Sequence, residues 1–338
     1  MCGIFSYIGD NFSKNDLLEN YNRLFDRGPD ESKIIQINNV VLGFHRLAIN
    51  DLSDDGMQPF KYDNYYLICN GEIYNHKMLR ETHFLRTKSN SDCEVILHLY
   101  LLYGIETTCK MLDGVFSFVL YDGIKKTIYA GRDPYGVRPL FIGQTLNGDY
   151  FFSSEMKAIH DKCVNVKQFD PGSYLEYNSR KFMINKYHKY NYSFVNNPED
   201  FILNNIRDLL IKSVEKRLLS DRPIGALLSG GLDSSLISGI ICKLYKDKGI
   251  KTPLKTFSIG MKGATDLGYA QSVADHIGSE HHTIECTESD FLEAIPEVIY
   301  NIESYDTTTV RASVGNYLVA KYIKENTDVV VLFNGDGS

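Results

Sequence analysis

The chain has 338 residues, a formal net charge of −7 and an ordinary balance of apolar and charged side chains, which fits a globular protein of two domains. Mild acidity without a lysine/arginine cluster argues against a nucleic-acid partner, and no stretch approaches the roughly 20 apolar residues of a membrane span. The N-terminus lacks the basic start and apolar run of a secretory signal. Seven scattered cysteines with no CxxC pair predict reduced, mostly buried thiols, with neither a disulfide framework nor a cysteine-rich zinc site.

The first half reads as strands: Cys2 to Tyr7, Val41 to Phe44, Tyr65 to Cys69, Val115 to Tyr121, Thr127 to Ala130 and Tyr150 to Ser153. These are short β-branched and aromatic runs punctuated by Gly, Asn and Asp. Two helices interrupt them, one with Leu17, Leu18, Tyr21, Leu24 and Phe25 on a face, the other with Val95, Ile96, Leu99, Leu102 and Tyr103. Packed β-sheets covered by helices are expected, an α+β domain over residues 2–190. The turn-rich segment from Tyr190 to Pro198 marks the boundary.

Residues 200–338 have a different rhythm. An amphipathic helix from about Asp200 to Leu219 directs Ile202, Ile206, Leu209, Leu210, Val214 and Leu218 inward. Strands at Ile224–Leu228, Thr256–Ile259, His282–Glu285 and Val329–Phe333 then alternate with helices starting near Asp233, Leu267, Phe291 and Ala312. This alternation predicts a doubly wound parallel α/β sheet, with ligands at the carboxyl ends of its strands. His281 and His282 are adjacent on a strand and point to opposite faces, which argues against a shared metal.

Between the first of these strands and its helix lies Leu-Leu-Ser-Gly-Gly-Leu-Asp-Ser-Ser, Leu227 to Ser235. Two glycines bring backbone N–H groups close to an anion, serines add hydroxyls, and the helix N-terminus adds partial positive charge. No lysine follows the glycines, so this is not a Walker loop. Asp233 instead suits a magnesium ion carried with phosphates. The sequence of this loop resembles the pyrophosphate loop of the N-type ATP pyrophosphatases, enzymes that adenylate a substrate. Thr256–Gly260, Tyr305–Ser313 and Phe333–Ser338 resemble further segments of the asparagine synthetase family.

Cysteine at position 2 would become N-terminal on loss of Met1. Its thiol would then lie beside an α-amine of ordinary pKa about 7.7–8.0, a nucleophile and a base in one residue. Position alone favours a chance cysteine at a strand start. Taken together, however, Cys2-Gly-Ile4, Arg27-Gly-Pro-Asp30, His45 to Asn50, Asn70 to Asn75, Ser91-Asp-Cys-Glu94, Gly131-Arg-Asp133 and Ser153 to Ala158 resemble, in order, the class II glutamine amidotransferase domain. Arg27 to Asp30 reads equally well as a plain turn, and Asn70-Gly71 also fits a type I′ hairpin turn.

The resemblance implies an N-terminal nucleophile hydrolase-like αββα fold followed by the nucleotide-binding α/β domain. It implies catalysis by Cys2, with Asn70 and Gly71 stabilising an oxyanion. The glutamine pocket would comprise Arg46, Leu47, Ala48, Ile49, Asn50, Asn70, Gly71, Glu72 and Asp92, where Arg46 suits the carboxylate and Asp92 the ammonium. ATP would meet Leu228, Ser229, Gly230, Gly231, Asp233, Ser234, Ile259, Asn334 and Gly335. Asp336, Thr308 and Arg311 would serve adenylate formation, and Mg2+ would bind at Asp233. Asp26 stands where the family has histidine, and Asn334 and Asp336 where it has serine and glutamate. The implied small-molecule partners are glutamine, aspartate and ATP, in a cytoplasmic protein that admits a homodimer. The chain stops at Ser338 inside the last matched segment, before a region that in the family carries a catalytic lysine and closes an ammonia channel. An incomplete synthetase domain, with apolar surface exposed beside Val329–Phe333, is therefore expected. Three readings follow: an asparagine synthetase, a bare glutaminase, or a non-catalytic nucleotide-binding remnant.

Overall fold

The computed structural model describes residues 1–178, 181–194 and 196–335, in two compact units, Met1–Phe194 and Val195–Ser338. In chain order the first holds β1 (Gly3–Ile8), α1 (Leu18–Asn22), β2 (Glu31–Ile37), β3 (Val40–Arg46), β4 (Phe60–Tyr62), β5 (Tyr65–Ile73), α2 (His76–Thr82), α3 (Val95–Met111) and β6 (Gly114–Asp122). It continues with β7 (Thr127–Arg132), β8 (Phe141–Gln144), β9 (Tyr150–Ser153), β10 (Asn165–Gln168), β11 (Ser173–Asn178) and β12 (Lys181–Lys186). The strands form two six-stranded sheets, β10-β8-β9-β1-β3-β2 and β12-β11-β7-β6-β5-β4, antiparallel throughout their described pairings.

Burial on both faces of these sheets explains why their central strands read as unbroken apolar runs. Ile4, Ile8, Leu42 and Phe44 of one sheet meet Ile68, Val119, Ile128 and Leu175 of the other. The alternate residues Phe5, Tyr7 and Val41 face Leu17, Tyr21 and Leu24 around α1. Leu67, Cys69, Phe116, Phe118 and Leu120 face Leu79, Val95, Ile96 and Leu99 of α2 and α3. The layers are thus α, β, β, α.

Several sequence expectations shift. α1 is a single short turn flanked by 3-10 turns at Asn15–Leu17 and Phe25–Arg27, so its stripe narrows to Leu17, Tyr21 and Leu24, and Leu18 and Phe25 are exposed. α3 breaks at Gly104, with φ +74°, and Leu102 and Tyr103 just before the break emerge into solvent. β5 runs through Asn70-Gly71, which pair with Ser117 and Phe116; cross-strand pairing overrides the local turn signal. Only glycine fits at 71, because a Cβ there would sit 2.7 Å from the Phe116 Cβ and the Val115 carbonyl.

The second unit holds α4 (Glu199–Lys216), β13 (Ile224–Leu227), α5 (Leu232–Asp247), β14 (Lys255–Met261), α6 (Thr265–Ile277), β15 (Glu280–Cys286), α7 (Glu288–Glu293), α8 (Ile295–Ile302), α9 (Thr307–Asn326) and β16 (Val331–Phe333). The single helix expected around Phe291 is divided, and Pro296 sits in the first turn of its second part. Proline lacks the N–H that a continuous helix would need. All strand pairs are parallel, in the order β15-β14-β13-β16. One face packs on α4, α5 and α6 through Val214, Ala226, Ile241 and Leu228. The other packs on α9 through Phe257, Val319 and Ile323.

At the edge of this sheet Val329 and Phe333 are buried, while Val331 and Leu332 of β16 stay partly exposed. Exposure is greater on α4, where Ile206 and Leu209 are 57% and 63% exposed and only Val214 is buried. The helix packs on α5 through its C-terminal half, where Leu210 and Ile211 join Val214 in the core. Among the described residues no helix is long and apolar enough to cross a membrane.

Candidate active site

Strand alternation assembles the first site. Cys2 precedes β1 in phase with Ile4, Arg46 ends β3 in phase with Leu42 and Phe44, and Asn70 follows Ile68 by two on β5. Successive side chains point to opposite faces, so all three enter the space between the sheets. There they line one cavity of about 40 Å³ together with Met1, Leu47, Ala48, Ile49, Asn50, Gly71, Glu72, Asp92, Cys93 and Arg138. Every residue expected at the glutamine pocket belongs to this lining.

The Leu47 amide donates to the Cys2 sulfur at 3.4 Å, and the thiol faces the Leu47 carbonyl at 3.5 Å. Arg27 Nε donates to the Cys2 carbonyl at 2.9 Å, and its Nη1 pairs with Glu155 at 2.9 Å. Asp30 accepts from the Ala48 amide at 2.8 Å. The segment Arg27 to Asp30 therefore does more than turn: it ties down both Cys2 and the loop after β3. The sequence alone left that choice open.

Arg46 is almost fully buried. Its Nη1 donates to Glu31 and to the Ser53 carbonyl, each at 2.9 Å, and its Nη2 donates to the Asp51 carbonyl. These partners fix the guanidinium in the pocket wall. Asp92 is also buried. It accepts from the Ile73 amide at 2.6 Å and from Asn50 Nδ2 at 3.3 Å. Burial pushes its carboxyl up to about 6, against the pull of the Ile73 amide.

Asn70 is 2% exposed, and among the described residues its Nδ2 has no hydrogen-bond partner, an uncommon state for a buried amide. The direction of the Gly71 N–H follows from its neighbours. In an antiparallel strand the N–H and C=O of one residue share a side, and every second residue repeats it. The Cys69 amide donates to Gln58, the Gly71 carbonyl faces Cys93 Sγ, and the Ile73 amide donates to Asp92. All three point away from β6, so the Gly71 N–H does too. Two donors, one on a side chain and one on the backbone, thus belong to residues that line one cavity with the Cys2 thiol.

Burial, aided by Arg27 and Arg138, lowers the Met1 α-amine to about 6. Burial raises the Cys2 thiol, and the nearby amine opposes this. Gln58 and Arg138 were not singled out by the sequence. Gln58 brackets Cys69 from just before β4, through bonds that no local pattern signals. Arg138 follows a Gly-Val step that reads only as a turn.

The second unit has its own site. β14 and β15 lie to one side of β13 and β16 to the other, so the winding reverses at β13, the place where such sheets bind ligands. A cavity of about 200 Å³ opens there, lined by Leu227, Ser229, Gly231, Leu232, Asp233, Ser234, Asn316, Asn334 and Gly335. Gly230 has φ +80°, and a Cβ on it would lie 2.6 Å from the Ala270 amide. Gly335 comes so close to the first turn of α5 that its Cβ would lie 2.5 Å from the Ser234 amide. The hydroxyls of Ser229 and Ser234 meet at 3.0 Å, and Ser235 donates to the Gly231 carbonyl at 2.6 Å.

Other residues expected at this site are not in the lining of that cavity. The Leu228 side chain is buried against Ala270 and Ala274. Ile259 packs in the cluster under α9. Thr308 and Arg311 are exposed on the first turns of α9, outside this cavity's lining. Asp306 caps that helix by accepting from the Thr309 amide at 2.8 Å. Asp336 lies outside the described residues. Among the described residues no three His, Cys, Asp or Glu side chains converge as a metal cage. Asn316 reaches the cavity from α9, a placement that only the fold decides.

The glutamine amidotransferase domain family matches residues 1–202, and the asparagine synthase family matches residues 205–338. The glutamine-hydrolysing asparagine synthetase of Homo sapiens is 42% identical over 100% of this chain and 65% of its own length. That of Gallus gallus matches to the same extent, so the chain spans about 65% of the length of these curated relatives. A solved structure of glutamine phosphoribosylpyrophosphate amidotransferase from B. subtilis, complexed with ADP and GMP, aligns with 99% of this chain and 91% of its own. Its TM-score is 0.50 at 15% identity, a likeness of fold.

Proposed function

Since the chain belongs to the glutamine amidotransferase family over residues 1–202, we propose that its first unit hydrolyses glutamine at Cys2 and that its second unit uses the ammonia to make asparagine from aspartate and ATP. The observation that carries the reading is the Asn70 amide, unpartnered among the described residues, which lines one cavity with Gly71 and the Cys2 thiol. Together these make a nucleophile and a two-donor oxyanion hole.

Met1 is removed first. It forms part of the wall of a cavity with room for only a few waters, so its loss both opens the pocket and gives Cys2 a free α-amine. The amine accepts the thiol proton, and the thiolate attacks the side-chain carbonyl of glutamine. Asn70 Nδ2 and the Gly71 N–H hold the oxyanion. The leaving nitrogen takes the proton and departs as ammonia. Water, deprotonated by the same amine, then attacks the thioester and releases glutamate. Arg46 holds the substrate carboxylate, and Asp92 its ammonium.

In the second unit the β-carboxylate of aspartate attacks the α-phosphorus of ATP, and pyrophosphate leaves. The Ser229–Ser235 loop fits that leaving group: its hydroxyls, its close-packed glycines and the α5 N-terminus suit an anion. Magnesium would arrive with the phosphates, with Asp233 supplying a carboxylate and the ion offsetting phosphate charge. Ammonia attacks the acyl-adenylate, giving asparagine and AMP. Thr308, Arg311 and Asp336 are assigned to the activated aspartate, and Leu228, Ile259 and Asn334 to the nucleotide, by resemblance. A cytoplasmic setting and a homodimer belong to the same proposal.

The test is to incubate the protein with glutamine, aspartate and MgATP and to measure glutamate, asparagine and AMP, alongside Cys2→Ala. Glutamate release should vanish in Cys2→Ala while ammonia-driven asparagine formation persists. Glutamate release surviving in Cys2→Ala would refute the mechanism. Glutamate without asparagine in the parent protein would leave the bare glutaminase reading standing.

A further inference from the structure

The segment Arg132 to Arg138 takes no part in the steps above, yet it is among the most tightly tied loops of the first unit. Asp133 is fully buried and accepts four backbone N–H groups: those of Tyr135, Val137 and Arg138 at 3.0 Å and that of Phe116 at 3.2 Å. Arg132 takes the opposite polarity. Its guanidinium donates to the carbonyls of Arg138 at 2.8 Å, Gly136 at 2.7 Å and Phe169 at 2.6 Å. Gly136 turns the chain at φ +66°. A buried acid and a buried base thus brace one loop, and both flank the start of Arg138.

Arg138 is the side chain that this brace delivers. It is largely buried, its Nη2 pairs with Glu72 at 3.1 Å, and its Nη1 contacts Met1 Sδ. Its Nε is buried with no partner among the described residues. Met1, Cys2, Glu72 and Arg138 line the same cavity. Loss of Met1 removes the group against which Nη1 rests and leaves the guanidinium facing the new N-terminus.

We propose that Arg138 is a positioning residue for glutamine hydrolysis, a fixed cation that holds Glu72 in the pocket wall and confronts the N-terminal nucleophile. The inference rests on the glutaminase reading above. A cation beside the α-amine disfavours the ammonium form and keeps the amine a base; beside the thiol it favours the thiolate. In the present structure Arg138 pulls both the Met1 amine and the Cys2 thiol downward. The other groups facing this point are Arg27 from the turn after α1, Glu72 and Cys69 from β5, and Cys93 before α3. Glu72 acts on the amine in the opposite sense, so its pairing with Arg138 also restrains a competing charge.

The experiment measures glutamate release by the full chain, Arg138→Gln, Arg138→Lys and Glu72→Gln from about pH 5 to 9, taking kcat/KM at each pH. In Arg138→Gln the acid-side pKa should rise by about one unit, which lowers kcat/KM about tenfold on that limb. Arg138→Lys should stay near the parent profile, and Glu72→Gln should shift the pKa downward. An apparent pKa does not depend on the amount of folded enzyme, so a merely structural defect would leave it in place. An unmoved pKa in Arg138→Gln overturns the proposal, as does an equal shift in Arg138→Lys. A parent chain that releases no glutamate would instead overturn the reading beneath it.

Discussion

At Asn70 one side chain is asked to supply half of an oxyanion hole. Its amide is already buried and unpartnered, so no local bond must break when charge develops on the substrate. Asn70→Ala should lower kcat for glutamate release by about 10²–10³-fold with a small change in KM, because the donor acts mainly in the transition state. Steady-state assay of glutamate checks this. Asp92 is assigned to binding instead. Burial pushes its carboxyl up to about 6. Under the proposed assignment the ionised form holds the substrate ammonium, and it is lost as pH falls through that value. KM for glutamine should therefore rise below about pH 6 while Asp92→Asn shows a high, pH-flat KM. A KM in the parent chain that stays constant from pH 7 to 5 would exclude Asp92 as the ammonium partner.

At the scale of elements, β5 carries more of the site than its sequence suggests. Asn-Gly reads as a hairpin turn, but pairing with β6 carries the strand through it. The glycine is there because the Phe116 and Val115 backbones leave no room for a Cβ. Gly71→Ala should cost about 1–3 kcal/mol of stability and lower the melting temperature by about 2–10 °C, measurable by circular dichroism, with glutamate release falling as the N–H is displaced. Strand periodicity made β1, β3 and β5 legible as elements, and motif order made their pocket residues legible. The stripe on α4 was misread because periodicity shows that a face is apolar but not which part of it finds a neighbour; Leu210, Ile211 and Val214 meet α5, while Ile206 and Leu209 do not. Leu228, just past β13, turns its side chain toward Ala270 while Leu227 lines the cavity, a choice of face that the motif alone does not specify.

At the scale of the whole molecule, the chain divides into two compact units, and under the proposed function each has its own chemistry. Gly230→Ala should expose the separation, since a Cβ there meets the Ala270 amide at 2.6 Å and φ +80° disfavours any other residue. Asparagine and AMP formation should fall at least tenfold while glutamate release by the same protein persists; assaying both products in one reaction decides it. Loss of both activities together would show that the substitution unfolds more than the loop. The sequence by itself determined the order of the two units, the parallel sheet, the thiol and the glycine-rich loop, because each rests on periodicity or on residues adjacent in the chain. Only the tertiary structure decided that Arg27 and Asp30 tie down Cys2 and the loop after β3, that the Asn70 amide is left unpartnered among the described residues, and that Asp133 and Arg132 brace Arg138 at the pocket. The first rests on bonds 18 and 25 positions apart, and the brace joins short-range bonds within residues 132–138 to Phe116 and Phe169, 17 and 37 positions away; hydrogen-bond satisfaction across the longer separations is set by packing, which no local pattern encodes.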